Sequence, residues 1–339
     1  MKVALDTVRR QIATLLHRAG ASPADAALVA ECLLDAERRG HASHEVDLLA
    51  TYLARMHAGG IRTDRRPTIV ADGQVVIRLD AQGTLGQVSA DLGACMVAER
   101  AALKGLAAVA IRNSNHVGML AAYRHAFQSS SVVGLLLNIS GPALSPPGGH
   151  GLAIGSNAVC LVVPRAEGRP FCIDMGTGVV ALGKLRALLH TTGQAPDGWL
   201  LDADGRPTDD LTALASGGSV PVFGGYKGLC ISLIVELLAG ALAADTISPR
   251  VTKQRAHPDQ PMGCAQLFIG LSPRHFGMPN LDAAIEGLRA AVGGSYEQPP
   301  DIWFPDMMED TAEQATASAI ELPAALVDLL DTADATPLR

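Results

Sequence analysis

With 339 residues, 48% of them hydrophobic and 18% charged, the chain has apolar material for one large core or two smaller ones, which excludes disorder, collagen and coiled coil. Its 34 acidic and 27 basic residues give a formal charge of -7 and no basic field to gather phosphates, so the expected partner is a small molecule and not nucleic acid. Cys32, Cys95, Cys160, Cys172, Cys230 and Cys264 include no CxxC pair and lie mostly in apolar surroundings, the pattern of reduced core thiols rather than of a disulfide frame or a zinc site. A cytoplasmic location follows from that pattern.

The opening MKVALDTVRRQIATLLHRAG carries charges every few positions, so no secretory signal is expected and the mature chain is expected to start near Met1. From Val3 to about Ala58 apolar residues recur at helical spacing, and Ser22-Pro23 reads as an N-cap followed by a first-turn proline; this whole opening is expected to be helical. Gly59-Gly60 closes the block, and Asp64-Arg65-Arg66-Pro67 leads into a different texture. Runs rich in Val, Ile and Leu then predict strands at Val75 to Leu79, Leu106 to Ile111, Val132 to Asn138, Ala158 to Val163, Phe171 to Ile173 and Leu267 to Leu271. Helical patterns alternate with them at about Val88 to Leu103, Leu120 to Phe127, Leu229 to Ala244 and Leu281 to Val292. The stretch Leu229 to Ala244 is shorter than the roughly 20 residues of a bilayer span and contains Glu236, so it is read as a buried helix and no membrane association is expected. Two Gly-rich stretches, 140–157 and 191–225, read as long loops that line or cover a site. The tail from about Ala312, with Pro323 at a helix start, is expected to pack on the N-terminal helices.

Three histidines occupy suggestive places. His44 follows Ser43 where the helical pattern breaks after Arg39-Gly40, which fits either an acid-base pair or a capping serine beside a surface histidine. His116, in Arg112-Asn113-Ser114-Asn115-His116-Val117-Gly118, stands past a strand end, where α/β proteins hold ligands; a loop histidine satisfied by backbone is the alternative. His150, among glycines, reads as a loop filler. The run Gly176-Thr177-Gly178-Val179-Val180-Ala181 matches GxGxxA after a strand, but that strand is short and no βαβ unit follows. Asp202-Ala203-Asp204-Gly205 reads as a solvated turn rather than a calcium loop. Gly224-Gly225-Tyr226-Lys227-Gly228 puts an ammonium and free N–H groups at a helix start, which suits a phosphate or carboxylate.

Taken in order, these motifs, with Leu79 to Gln87, Gly155-Ser156-Asn157, Ile173 to Thr177, Trp199 to Thr208 and Leu267 to Phe276, resemble over nearly the whole chain the malate/L-lactate dehydrogenase family of NAD(P)-dependent oxidoreductases. That family also holds ureidoglycolate, sulfolactate and diketogulonate dehydrogenases and cyclic-imine reductases. The resemblance implies an α+β fold that is not a Rossmann fold. A helical domain from both chain ends (1–72 with 312–339) would join a mixed, largely antiparallel sheet domain (73–311) that binds the dinucleotide, in a homodimer. It implies hydride passage between nicotinamide C4 and substrate C2, with His44, polarised by Ser43, or else His116 exchanging the proton. Cofactor contacts would fall on His116, Val117, Gly118, Met119, Leu120, Ser140, Asp174, Met175, Gly176 and Lys227, and substrate contacts on Leu48, Ser156 and Gly183, with no metal.

The chain departs from the family pattern at informative points. Relatives read SHGxxR, whose arginine clamps the substrate carboxylate; here the run is Ser43-His44-Glu45-Val46-Asp47-Leu48. Leu48 cannot bind an anion, and Glu45 and Asp47 are expected to add negative charge where a carboxylate would dock. A larger, amidated, esterified or cationic substrate is therefore expected in place of a simple 2-oxo acid. The PGE-like turn that relatives use close to the cofactor appears here as Pro305-Asp306-Met307; by that resemblance its acid would disfavour a 2'-phosphate, which tilts the choice slightly to NAD over NADP. Lys184 stands where imine reductases of the family tend to carry an acid, which argues against a cyclic imine. The other readings are a cyclic-imine reductase and a non-catalytic dinucleotide-binding protein; retention of both His44 and His116 counts against the second.

Overall fold

The computed structural model describes residues 1–41, 44–189, 191–307 and 318–335. Helix α1 (Leu5–Arg18) buries Leu5, Val8, Ile12, Leu15 and Leu16, the three- and four-residue spacing of one helix face. The Ser22 hydroxyl accepts from the Asp25 N–H at 3.2 Å and Pro23 opens α2 (Pro23–Arg38), as the cap motif predicts. Helix α3 (Leu48–Ala58) ends at Gly59, whose φ of +90° is the left-handed turn that glycine allows. The expected all-helical opening needs one correction: Lys2–Ala4 is a strand, β1, paired antiparallel with Ala319–Glu321. Its three residues are too few for any periodicity to reveal.

The centre of the chain builds β2 (Thr68–Asp72), β3 (Val76–Asp80), α4 (Gly86–Lys104), β4 (Leu106–Ser114), a 3-10 turn at Leu120–Tyr123, α5 (Arg124–Ser130) and β5 (Val133–Asn138). There follow β6 (Pro142–Ser145), β7 (Ile154–Gly155), β8 (Ala158–Val163), β9 (Phe171–Met175), α6 (Leu182–Leu189), β10 (Val220–Pro221) and α7 (Tyr226–Val235). The last elements are β11 (Cys264–Leu271), α8 (Asp282–Gly293), β12 (Ala319–Glu321) and α9 (Ala324–Ala335). A seven-stranded sheet runs β2-β3-β4-β11-β5-β8-β9, with β3 and β4 parallel and the other pairs antiparallel, so it is mixed and largely antiparallel as expected. Alternation along β11 serves both faces: Phe268 joins the core under α4, and Leu267 joins a second core with Val235 and Ala239.

The chain ends share one core, in which Val8, Ile12, Leu33, Leu49 and Tyr52 meet Ile320, Leu326 and Leu330. Gln11 Nε2 donates to Asp331 at 3.2 Å and to Asp334 at 2.9 Å, fastening α9 to α1.

Two further expectations are corrected. The stretches 140–157 and 191–225 are not simply loops, because β6, β7 and β10 form a small sheet in the order β10-β6-β7 over a core of Leu144, Ile154, Leu200, Leu211 and Val220. Their strands are so short that the glycines between them dominate the sequence signal. The segment after Leu229 is not buried all round: α7 passes into a π-helical turn at Glu236–Leu242, and Ile234, Leu237 and Leu242 are 54%, 63% and 73% exposed. Apolar composition alone does not separate a core helix from one with an open face. Among the described residues no helix is long and apolar enough to cross a membrane.

Candidate active site

The break between α2 and α3 carries His44 to the end of β4, where its ring stacks on His116 with centroids 5.5 Å apart and planes 13° from parallel. Ser43 lies outside the described residues. Burial, then the charges of His116 and His41, push His44 down to about 3, while burial and the guanidinium groups of Arg55 and Arg255 push His116 down to about 4. Both rings are therefore neutral at pH 7.

Hydrogen bonds fix which nitrogen of His116 carries the proton. The Gly118 N–H donates to its Nδ1 at 3.3 Å, and the Tyr52 hydroxyl, itself accepting from Gln87 Nε2 at 2.9 Å, meets the same nitrogen at 2.8 Å. Nδ1 is thus an acceptor for two donors, and the neutral ring carries its proton on Nε2. Beneath it, Asn115 is 1% exposed; its Nδ2 donates to the Gly83 and Thr84 carbonyls at 2.8 Å each, and its Oδ1 accepts from Arg55 Nη2 at 3.0 Å. Gly86 opens α4 directly against this turn, where a Cβ would collide with the His116 carbonyl. The Tyr52 and Gln87 relay was not legible as function in the sequence, because both residues fit an ordinary core pattern.

Leu48 is 5% exposed and belongs to the helical core with Leu49, Tyr52 and Leu85, so no cation stands at that position. The expected negative charge beside it needs correction. Burial, with Glu37 and Asp47 nearby, raises Glu45 to about 8, and burial raises Glu37 to about 7 although the Val46 N–H donates to it at 3.2 Å. Glu45 is thus mostly an uncharged hydrogen-bonding group at neutral pH, and Asp47 is exposed. The Lys184 ammonium of α6 acts on both Glu45 and His41, so α6 lies on their side of the fold.

A pH prediction follows from Glu45. Its folded value near 8 exceeds its ordinary 4.5, so its penalty is absent below 4.5 and grows as pH rises towards 8, because only the unfolded chain then ionises freely. Between pH 5 and 8 the protein is expected to lose about 1–2 kcal/mol more stability than Glu45→Gln, an amount reduced by partial solvent exposure. Urea midpoints at the two pH values check this, and equal losses would remove the effect.

The remaining positions form a strip along the ends of β9 and β7. The Asp174 carboxylate accepts from the Ala121 N–H at 2.8 Å and from the Leu120 N–H, tying β9 to the 3-10 turn that follows Val117, Gly118 and Met119; burial nevertheless raises it to about 6. Beyond Met175 and Gly176, both exposed, Thr177 N–H donates to the Ser156 carbonyl at 2.6 Å, and Ser140 Oγ lies 3.3 Å from Ser156 Oγ. The Thr177 carbonyl in turn accepts from Phe223 N–H at 3.0 Å, one turn before the exposed Lys227 in the first turn of α7. Exposed glycine backbone, hydroxyls and an ammonium at a helix start fit a dinucleotide with its pyrophosphate. Glu236, 5% exposed, supports this strip from behind: it accepts from Asn157 Nδ2 at 2.8 Å and from the Ser248 N–H at 2.9 Å. It was visible in the sequence only as a charge within an apolar run.

A family model described as malate/L-lactate dehydrogenase matches residues 3–331. The chain belongs to the malate/L-lactate dehydrogenase family. It is an enzyme, a nicotinamide-dependent dehydrogenase or reductase of that family. It is 30% identical over 315 residues to (2R)-3-sulfolactate dehydrogenase (NADP(+)) of Chromohalobacter salexigens, covering 93% of this chain and 92% of that one. It is 32% identical over 275 residues to a Delta(1)-pyrroline-2-carboxylate/Delta(1)-piperideine-2-carboxylate reductase of Pseudomonas aeruginosa, covering 81% and 82%. A solved dehydrogenase from Sinorhizobium meliloti superposes with a TM-score of 0.89 at 30% identity, covering 98% of each chain. Membership of the malate/L-lactate dehydrogenase family accounts for the GxGxxA run after β9 without a Rossmann turn.

Proposed function

We propose that the protein interconverts a carbonyl and an alcohol at C2 of a 2-oxo or 2-hydroxy acid, or of a modified derivative, with His44 exchanging the proton and His116 holding the substrate oxygen. The stacked, neutral pair with the His116 proton on Nε2 carries this reading. A bound nicotinamide supplies or takes up the hydride at C4. His116 offers an N–H to the oxygen on which charge develops, a donor already aligned by Tyr52 and Gly118. His44, neutral at pH 7, takes the alcohol proton in the oxidative direction, and in the reductive direction the negative charge that develops on the substrate oxygen raises its pKa and draws the proton across. Val117 to Leu120, Ser140, Asp174 to Gly176 and Lys227 would hold the dinucleotide, with Ser156 and Gly183 on the substrate side and Ser43 beside His44.

The substrate reading rests on Leu48 and the half-buried Glu37 and Glu45. A wall without the usual guanidinium, with carboxyls near it in sequence and no cation at Leu48, suits an amidated, esterified, larger or cationic substrate better than a bare 2-oxo acid. Following NADH and NADPH absorbance against pyruvate, larger 2-oxo acids, their amides and esters, and cyclic imino acids tests it. Turnover is expected with the modified acids. Leu48→Arg is expected to raise kcat/KM for simple 2-oxo acids about tenfold, the worth of one charge-assisted contact, and to lower it for the modified ones. An unchanged substrate range in Leu48→Arg would overturn the assignment.

The second reading, a cyclic-imine reductase, has the Pseudomonas aeruginosa reductase in its favour. It keeps the hydride step and protonates nitrogen, and the same panel separates the two. We propose a slight preference for NAD; Asp306 accepts from Arg289 Nη2 at 2.7 Å, which offsets its charge and keeps the difference in KM within about tenfold. The exposed apolar face of Ile234, Leu237 and Leu242 supports a homodimer, and the six free cysteines support a cytoplasmic enzyme.

A further inference from the structure

Between α4 and α5, Asp91, Cys95 and His125 each offer a ligand atom, all within 4.8 Å of one another. Asp91 and Cys95 are four apart on α4 and so share one helix face, while His125 comes from α5. Asp91 Oδ1 lies 3.2 Å from His125 Nε2. Zinc bonds of about 2.0–2.3 Å set tetrahedral ligand atoms roughly 3.3–3.8 Å apart, so little movement closes the three around an ion. His125 Nδ1 lies 3.4 Å from the Ala122 carbonyl, which leaves Nε2 for the shared point, the arrangement by which a backbone carbonyl orients a metal-bound imidazole.

We propose that Asp91, Cys95 and His125 form a binding site for a divalent transition ion of the zinc class, held by one oxygen, one sulfur and one nitrogen with a fourth position open to water. The composition matches that ion: thiolate and imidazole select zinc and its neighbours over magnesium or calcium. No motif announces the site in the sequence, since its ligands come from different helices and lie 30 residues apart between Cys95 and His125. Without an ion His125 Nε2 pairs with the Asp91 carboxylate at 3.2 Å. Thiolate and neutral imidazole are the ligating forms, so protons are released as the ion enters and affinity rises with pH. Cys32, a buried thiol on which the Asp91 charge also acts, is held protonated by burial and that charge and does not compete.

The test titrates chelator-treated full-length protein with Co2+ and Zn2+ alone. One equivalent of Co2+ is expected to give a thiolate-to-cobalt charge-transfer band that Zn2+ displaces, with proton release measured by calorimetry in buffers of different ionisation enthalpy. Cys95→Ser is expected to abolish the band, His125→Ala to weaken Co2+ affinity at least 100-fold, and Cys230→Ser to leave both unchanged. His125 is largely exposed, so its variant keeps the fold, and loss of the Zn2+-induced rise in Tm in that variant is a second readout. No band in the unmodified protein, or a band that survives both Cys95→Ser and His125→Ala, would overturn the site.

Discussion

His44→Ala is expected to lower kcat about 100- to 10,000-fold in both directions while nicotinamide affinity stays within a few-fold, the signature of a lost proton-transfer group. The ground is the tautomer of its neighbour. His116 Nδ1 already accepts from Tyr52 and Gly118, so its only other nitrogen carries a hydrogen and cannot take a proton from an alcohol. His116→Ala should then lower kcat as well, but with a raised substrate KM, because it removes the donor to the substrate oxygen and leaves the Tyr52 hydroxyl proton without its imidazole acceptor. Tyr52→Phe separates the two roles. Its hydroxyl meets Nδ1 and aligns the ring, so removing it should raise the substrate KM while the acid limb of kcat/KM for oxidation, set by the base His44, stays in place. If His44→Ala kept turnover within tenfold of the unmodified enzyme, the proton would have to pass through His116 and the assignment would reverse.

The sequence exposed the site where chemistry and irregular backbone coincide. The turn holding His116 was legible because a strand rich in Val, Ile and Ala gives way to polar residues and Gly118, and the α7 start because two glycines precede Tyr226 and Lys227. What stayed hidden is what is shared between distant segments. Tyr52 and Gln87 look like helix filling, and only the crossing of α3 and α4 at the end of β4 turns them into donors for an imidazole. The protonation of Glu45 was equally out of reach, since formal charge counts it as an anion and only burial against Glu37 makes it neutral. For the same reason the strand Lys2–Ala4 escaped notice, its partner being Ala319–Glu321 at the other end of the chain.

Asp35→Ala is expected to destabilise the protein by about 3–5 kcal/mol, the loss that follows when one member of a buried ion pair is removed and its partner stays. Asp35, 7% exposed on α2, takes both terminal nitrogens of Arg124, at 2.5 and 2.9 Å, and Arg39 Nε at 3.2 Å. Burial alone would raise its pKa, but the hydrogen bond and charge of Arg124, with Arg39 and Arg38, hold it below the ordinary 3.8. Its contribution is therefore present above that value and lost as pH falls below it, so Asp35→Ala should also flatten the acid side of the stability profile. The loss should reach the cofactor strip, because Arg124 directly follows the 3-10 turn whose Leu120 and Ala121 N–H groups meet Asp174. Nicotinamide binding is expected to weaken even at temperatures where Asp35→Ala stays folded. Replacing Asp35 and Arg124 together by leucine and methionine should recover much of the stability, since an apolar pair of similar volume carries no desolvation penalty. If the double variant were no more stable than Asp35→Ala, packing at Asp35 or its pairing with buried Arg39, rather than the Arg124 charge, would be the cause.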